Sequence, residues 1–265
     1  MKAKTLLDNA PTLYIQTGKE QSALFAMNFA RDVRHFVLRI TGGCGLMSPE
    51  DALGLANLEN ALKGGSREES PLPRFSGFGL FGGTRMLSKS DPSQVVPGVT
   101  EVLPAITGNC PGAVFLGVIA KVGQLKYTSL GVVIHDEPDA QYFTIIHPTQ
   151  HSIVLLQPTP DARASWEDEF RECIRFCHEL RMLDWQSLLL VYNGGGVVEK
   201  EILAWAKLGR LDPDKWKVLL VNGSGRKADE YANNKKFLSH HPTVHVCQNT
   251  EQSIREKLTE LGALI

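Results

Sequence analysis

The chain has 265 residues, 43% of them apolar and 22% charged, with a formal net charge of −1. This length buries a sizeable core unaided, and the balance of hydrophobicity and charge excludes a disordered chain. Near-neutrality also argues against a protein that coats DNA or RNA, whose footprint is strongly basic.

No apolar run approaches the roughly 18 residues of a membrane helix. The N-terminal stretch MKAKTLLDNAPTLYIQ lacks a signal-peptide core and cleavage site. Five scattered cysteines make no disulfide framework. The expectation is therefore a soluble, cytoplasmic protein with no membrane and no nucleic-acid partner.

Along the chain, short apolar runs alternate with glycine turns and helical stretches. A strand at Thr12–Gln16 and a helix at Gln21–Arg34 open it. Phe36–Ile40 then runs into Thr41-Gly42-Gly43-Cys44-Gly45. Ser48, Pro49, Glu50 and Asp51 supply an N-cap, a first-turn proline and first-turn acids for a helix to about Lys63. Lys63–Pro73 reads as a polar loop. Phe78–Phe81 leads into Gly82-Gly83-Thr84-Arg85, with a helix expected near Val99–Ile106. Ala113–Ala120, Leu130–His135, Tyr142–His147 and Ser152–Gln157 are strand-like and lack long helices between them. Asp161–Leu183 is an amphipathic helix. Leu188–Tyr192 leads into Asn193-Gly194-Gly195-Gly196 and a helix at Val197–Lys207. Val218–Val221 leads into Asn222-Gly223-Ser224-Gly225-Arg226 and a further helix. A strand at Val244–Cys247 and a helix at Thr250–Leu261 close the chain.

Continuously apolar strands bounded by glycine turns fit a parallel sheet covered on both faces. The predicted fold class is α/β: a Rossmann-like, doubly wound, mostly parallel sheet with extra strands inserted in the middle of the chain. We expect one domain over residues 1–265, with the strand-rich insert at about 110–158.

Twelve of the 24 glycines fall in the four strand-end clusters. Glycine there permits a tight turn and a close approach of phosphate to backbone amides, and a following helix adds orphan donors and a positive dipole end. Ordinary turn glycines are the alternative. Arg85 and Arg226 add guanidinium groups suited to phosphate. Thr84 and Ser224 add hydroxyls at expected helix starts, where simple N-capping is an equal role. No GxxxxGK[ST] occurs and no GxGxxG follows the first strand, which disfavours a Walker-type ATPase and a usual NAD-dependent dehydrogenase.

Other constellations give weaker signals. Cys173 and Cys177 share a helix face with Phe170 and Ile174, so they read as buried apolar residues rather than metal ligands. His147 and His151 read as a surface turn. Cys44 sits at an expected helix start, where a thiol pKa falls, but a simple turn residue is the better reading. Lys227, Lys235 and Lys236 are positive charge near the GSGR turn or a solvated face. No metal site is expected.

The strings ITGG (Ile40–Gly43), GGTR (Gly82–Arg85), NGGG followed by a glutamate-bearing helix (Asn193–Glu201) and VNGSGRKADEYA (Val221–Ala232), in that order, resemble the SLOG superfamily of Rossmann-like domains. They look most like its LSDAT branch, found in the cytosolic N-terminal region of TRPM channels and in bacterial proteins. The resemblance implies a sensor of nucleotide-derived ligands such as ADP-ribose or cyclic nucleotides, linked in bacteria to defence signalling. SLOG also contains phosphoribohydrolases with the motif PGGxGTxxE. Here Gly194, Gly195 and Glu201 match that motif, while Asn193, Val197 and Val198 depart from it. The basic residue those enzymes carry upstream has no clear counterpart; Arg181 is near but out of register.

The expectations are thus a glycine-lined crevice that binds a nucleotide-derived small molecule, with no obligatory cofactor. Phosphates would lie across Gly82–Arg85 and Gly223–Arg226, with Gly42, Gly43 and Gly194–Gly196 around sugar or base. One alternative is an N-glycosidic hydrolase using Glu201; for Glu201 a solvated or structural carboxylate is the plainer reading. A second is a partner-binding module with a vestigial crevice. A separate effector protein and a homo-oligomer are both compatible with the sequence.

Overall fold

The alternating apolar runs and glycine turns become alternating strands and helices. The structure is a computed structural model and describes residues 2–5, 12–16, 34–43, 47–64, 72–148, 152–156, 163–181 and 184–265. In chain order these form β1 (Lys2–Thr5), β2 (Thr12–Gln16), β3 (Phe36–Gly42), α1 (Pro49–Lys63), β4 (Gly77–Phe81), β5 (Thr84–Ser88), β6 (Val95–Val96), α2 (Val102–Ile106), β7 (Ala113–Ala120), β8 (Lys126–Thr128), β9 (Gly131–His135), β10 (Tyr142–Ile146) and β11 (Ser152–Leu156). They continue as α3 (Trp166–Arg181), β12 (Gln186–Tyr192), α4 (Gly196–Leu211), β13 (Trp216–Asn222), α5 (Arg226–Ala232), α6 (Lys235–His240), β14 (Val244–Gln248) and α7 (Glu251–Glu260). The expected helix over 21–33, Cys44, Gly45, residues 65–71 of the polar loop and His151 lie outside the described residues.

The main sheet has the order β1-β2-β11-β7-β4-β3-β12-β13-β14. β1 is antiparallel to β2, and the other neighbouring strands pair in parallel. Side chains alternate across the sheet, as strand geometry requires. Leu38, Ile40, Leu188, Leu190, Leu219 and Val221 pack on the face covered by α1, α2 and α7. Val37, Leu189, Val191, Val218 and Leu220 pack on the opposite face, against α3, α4 and α5. Both faces are buried, which is why the central strands read as unbroken apolar runs. This is a Rossmann-like α/β fold. No described helix is long and apolar enough to cross a membrane.

The chain winds outward from β3 through β4 to β7, then returns to place β12 on the other side of β3. The helix after β3 and the helix after β12 cover opposite faces. The strand order therefore reverses between β3 and β12, and their carboxyl ends must part into a crevice.

The middle of the chain carries the expected extra strands, in two arrangements. β7 and β11, both within the anticipated insert, are parallel members of the main sheet. The extra strands form a separate antiparallel sheet of order β6-β5-β10-β9-β8, which begins as early as Thr84. Its Val132, Ile134 and Ile146 pack against Ile119 of β7 and Leu155 of β11. GGTR accordingly leads into strand β5, not into a helix. Thr84 is the first residue of that strand, so neither an N-cap nor a dipole end exists there.

Local signals elsewhere operate as expected. The Ser48 hydroxyl accepts a hydrogen bond from the Asp51 amide at 3.1 Å, with Pro49 opening α1. Thr250 caps α7 through the Ser253 amide. Cys173 and Cys177 are wholly buried in α3, and burial pushes the Cys177 thiol up to about 12. Both side chains lie within the apolar cluster between the sheet and its covering helices.

Candidate functional site

The crevice between the ends of β3 and β12 is a cavity of about 390 Å³, within the range of small-molecule sites. Its upper wall is glycine: Gly42 and Gly43 at the end of β3, Gly82 after β4, and Gly195 and Gly196 at the start of α4. Gly42 is obligatory, because a Cβ there would lie 1.9 Å from the Tyr192 carbonyl oxygen. Gly196 is not sterically required, since a Cβ there would meet nothing within 4 Å. Helix α4 starts at Gly196 behind Gly195, which supplies no side-chain cap. Its first-turn amides and positive dipole end therefore face the crevice beside Val197 and Val198.

Arg226 stands over this helix start. Its Nη2 lies 2.9 Å from where a Cβ on Gly195 would be. The residue is exposed and makes no ion pair among the described residues.

The neighbouring GSGR backbone is already occupied. Asp229 Oδ1 accepts from the amides of Gly223 at 2.7 Å and Ser224 at 3.1 Å. The Ser224 hydroxyl donates to the Val221 carbonyl and accepts from the Asn193 amide, while Gly225 takes the N-cap position of α5. Two amides of the expected cradle at Gly223–Arg226, those of Gly223 and Ser224, thus bind the protein's own carboxylate. Asn193, buried and at φ 62, donates from Nδ2 to Asp51 and to the Ser224 carbonyl, and accepts the Gly194 amide. Asparagine tolerates this left-handed conformation, and its side chain ties together the turns after β3, β12 and β13.

Arg85 is tied as well. It donates to Glu101 from Nε and Nη2, the latter at 2.7 Å, and its Nη2 lies 3.0 Å from His147 Nε2. His147 is fully buried and 3.1 Å from Glu101, which overturns its reading as a surface turn. Burial raises the Glu101 pKa, but bonds from His147 and Arg85 outweigh that and leave it below the usual value.

The floor holds a residue that sequence reasoning passed over. Arg39, in β3, is 2% exposed. Its Nε donates to Glu201 at 3.0 Å, and its Nη2 donates to Glu169 at 2.7 Å and to Glu201 at 3.5 Å. Glu201 is 1% exposed, so it is not a solvated carboxylate. Burial alone would lower the Arg39 pKa, yet the acidic groups around it, Cys173, Glu201 and Glu169, hold it well above the ordinary value. Burial raises the Glu169 carboxyl above its ordinary value, against the pull of Arg39. Arg181 pairs instead with Asp212 at 3.0 Å. Among the described residues, two buried polar atoms of the crevice lining have no hydrogen-bond partner: Arg39 Nη1 and Thr144 Oγ1.

Of the residues singled out in sequence, the structure brings Gly42, Gly43, Gly82, Thr84, Gly195, Gly196, Glu201 and Arg226 to the crevice. Gly83, Arg85, Gly194, Gly223, Ser224 and Gly225 do not line it. Arg39, Glu169 and Thr144 were missed. Arg39 left one signal, a charge inside an apolar strand at a position whose neighbours by alternation are interior. Lys227 pairs with Glu199 and Glu230, while Lys235 and Lys236 are a solvated face. No protein-family model matches this chain, and no curated protein shows significant similarity to it.

Proposed function

We propose that the chain is a SLOG/LSDAT-like sensor domain that binds a nucleotide-derived ligand in the crevice between β3 and β12. The observation that carries the reading is the meeting of an uncapped helix start, a glycine-rich wall and Arg226, without an ion pair among the described residues, at a topological switch point. Phosphate would sit on the amides of α4 beside Arg226. The Arg85 guanidinium and the Gly223 and Ser224 amides, held by Glu101 and Asp229, would not take it. A small anion held by one arginine and backbone dipoles agrees with a net charge of −1. A sensor of this kind in the cytoplasm would pass its signal to a separate effector protein. A crevice closed by side chains would have favoured a partner-binding module; a cavity of about 390 Å³ weighs against that. The test is titration calorimetry with ADP-ribose, its cyclic isomers, NAD and common nucleotides. One of them should bind, with Arg226→Ala weakening it at least tenfold. Absence of binding across the panel removes the reading.

A hydrolytic reading has one observation in its favour. Glu169, pushed up by burial, and Glu201, held on Arg39, are two acids in unlike environments beside one cavity, the arrangement that separates acid from base. It predicts release of free base from AMP or NAD-like substrates and its loss in Glu201→Gln. An inactive wild type removes it.

A further inference from the structure

The crevice floor has an unspent hydrogen-bonding pattern. Both Glu201 oxygens face Arg39, at 3.0 and 3.5 Å, and Glu201 is 1% exposed. Glu169 differs. Only its Oε1 is held by Arg39, its side chain is 16% exposed, and it lines the crevice. Its other oxygen accepts no hydrogen bond among the described residues and stands beside Gly82 of the crevice wall. Arg39 Nη1, a buried donor, and Thr144 Oγ1, a buried hydroxyl, have no hydrogen-bond partner among the described residues, and both residues line the same crevice. Buried polar groups are normally satisfied, so an occupant that pairs with these three is favoured over one that does not.

Charge and shape restrict that occupant. Two carboxylates against one guanidinium make the floor net negative, so phosphate belongs at the rim and not here. Ile40, Met86, Val99 and Phe170 supply apolar walls around the polar floor. Apolar walls with a few convergent polar groups suit a flat heteroaromatic ring that offers its edge downward. Arg39 precedes Gly42 by three residues, about 10 Å along β3, which separates floor from rim by about the reach of one nucleotide.

Resting on the nucleotide reading above, we infer that the ligand enters head first and that Glu169, Arg39 and Thr144 read an amino group beside a ring nitrogen or carbonyl, as in an aminopurine, an aminopyrimidine or a pyridine carboxamide. The amino group donates to Glu169, and the adjacent acceptor takes Arg39 Nη1 or the Thr144 hydroxyl. Glu201 is a positioning residue that holds Arg39.

Matched ligands test this on the intact chain by calorimetry: AMP against purine riboside 5′-monophosphate, which lacks the 6-amino group and carries no N1–H, and nicotinamide mononucleotide against nicotinic acid mononucleotide. The amino member of a pair should bind at least about tenfold more tightly, because a site built to pair a donor rejects the analogue lacking it. The two pairs separate a nucleobase from a pyridine carboxamide. Glu169→Gln should shrink that ratio towards one while the protein melts as a folded chain, and Thr144→Val should weaken the amino member. Equal binding within both pairs, with Arg226→Ala still weakening all four, leaves the nucleotide reading standing and overturns this one. A preference for the amino member that survives in Glu169→Gln also overturns it, as does loss of binding in 2′-deoxy AMP with no difference between AMP and its 6-deamino analogue, which would put ribose on the floor. No binding by any of the four, or by the wider panel, removes both readings.

Discussion

Replacing Arg39 with methionine isolates the charge at the centre of the crevice. Methionine keeps an unbranched stem in β3 and removes three hydrogen bonds to carboxylates. Glu201, 1% exposed, is then a buried anion without a cation. Removing one partner of a buried pair costs about 3–5 kcal/mol. For 265 residues at about 2.1 cal/mol/K each, the unfolding entropy is about 0.56 kcal/mol/K, so this loss lowers Tm by about 5–9 °C. Calorimetric melts at pH 7.5 measure it. The deficit should shrink near pH 5, because burial raises the Glu169 carboxyl and the loss of Arg39 removes the pull against it. The triple change Arg39→Met, Glu169→Gln, Glu201→Leu should recover most of the stability, since the desolvation cost of all three charges goes with them. A single Arg39→Met variant that melts within 1 °C of wild type at pH 7.5 refutes the buried triad.

Three further outcomes follow from the same structure. Gly209→Ala in α4 gains about 1 kcal/mol of helix propensity, but its Cβ would lie 2.1 Å from Thr243 Oγ1 and 2.9 Å from the Trp216 carbonyl; melts should show net destabilisation. Gly196→Ala meets open space, so it should raise stability by about 0.5–1 kcal/mol while its methyl group, facing the crevice, weakens ligand binding in the same calorimetric panel. Glu101, with a folded pKa below its unfolded 4.5, contributes stability that is present above 4.5 and lost as pH falls through the lowered value; Glu101→Gln should be less stable than wild type at pH 7 and show a shallower loss on acidification in melts from pH 7 to 3.

The fold was legible because β3, β12 and β13 are buried on both faces and show it as unbroken apolar runs ending in glycine. Ser48 and Thr250 marked helix starts by cap chemistry that acts within one turn. The second sheet was misplaced for a physical reason. Thr84–Ser88 carries the same GG signal as the strand-to-helix turns, and only its antiparallel pairing with Tyr142–Ile146 makes it a strand. The site was half legible. Glycines and Arg226 announced the rim, because backbone access depends on local residue type. Arg39, Glu169 and Thr144 come from β3, α3 and β10, and only tertiary folding brings them together. The Asp229 carboxylate on the GSGR amides was equally hidden, as it depends on the turn's closing on itself.

Hydrogen exchange of backbone amides, with and without the tightest ligand of the nucleotide panel, tests the central claim most directly. The account predicts slowed exchange at residues 195–198, where the start of α4 has free amides, and little change at Gly223 and Ser224, whose amides already bind Asp229. Protection at Gly223–Gly225 with none at 195–198, or no ligand that protects either, would contradict it.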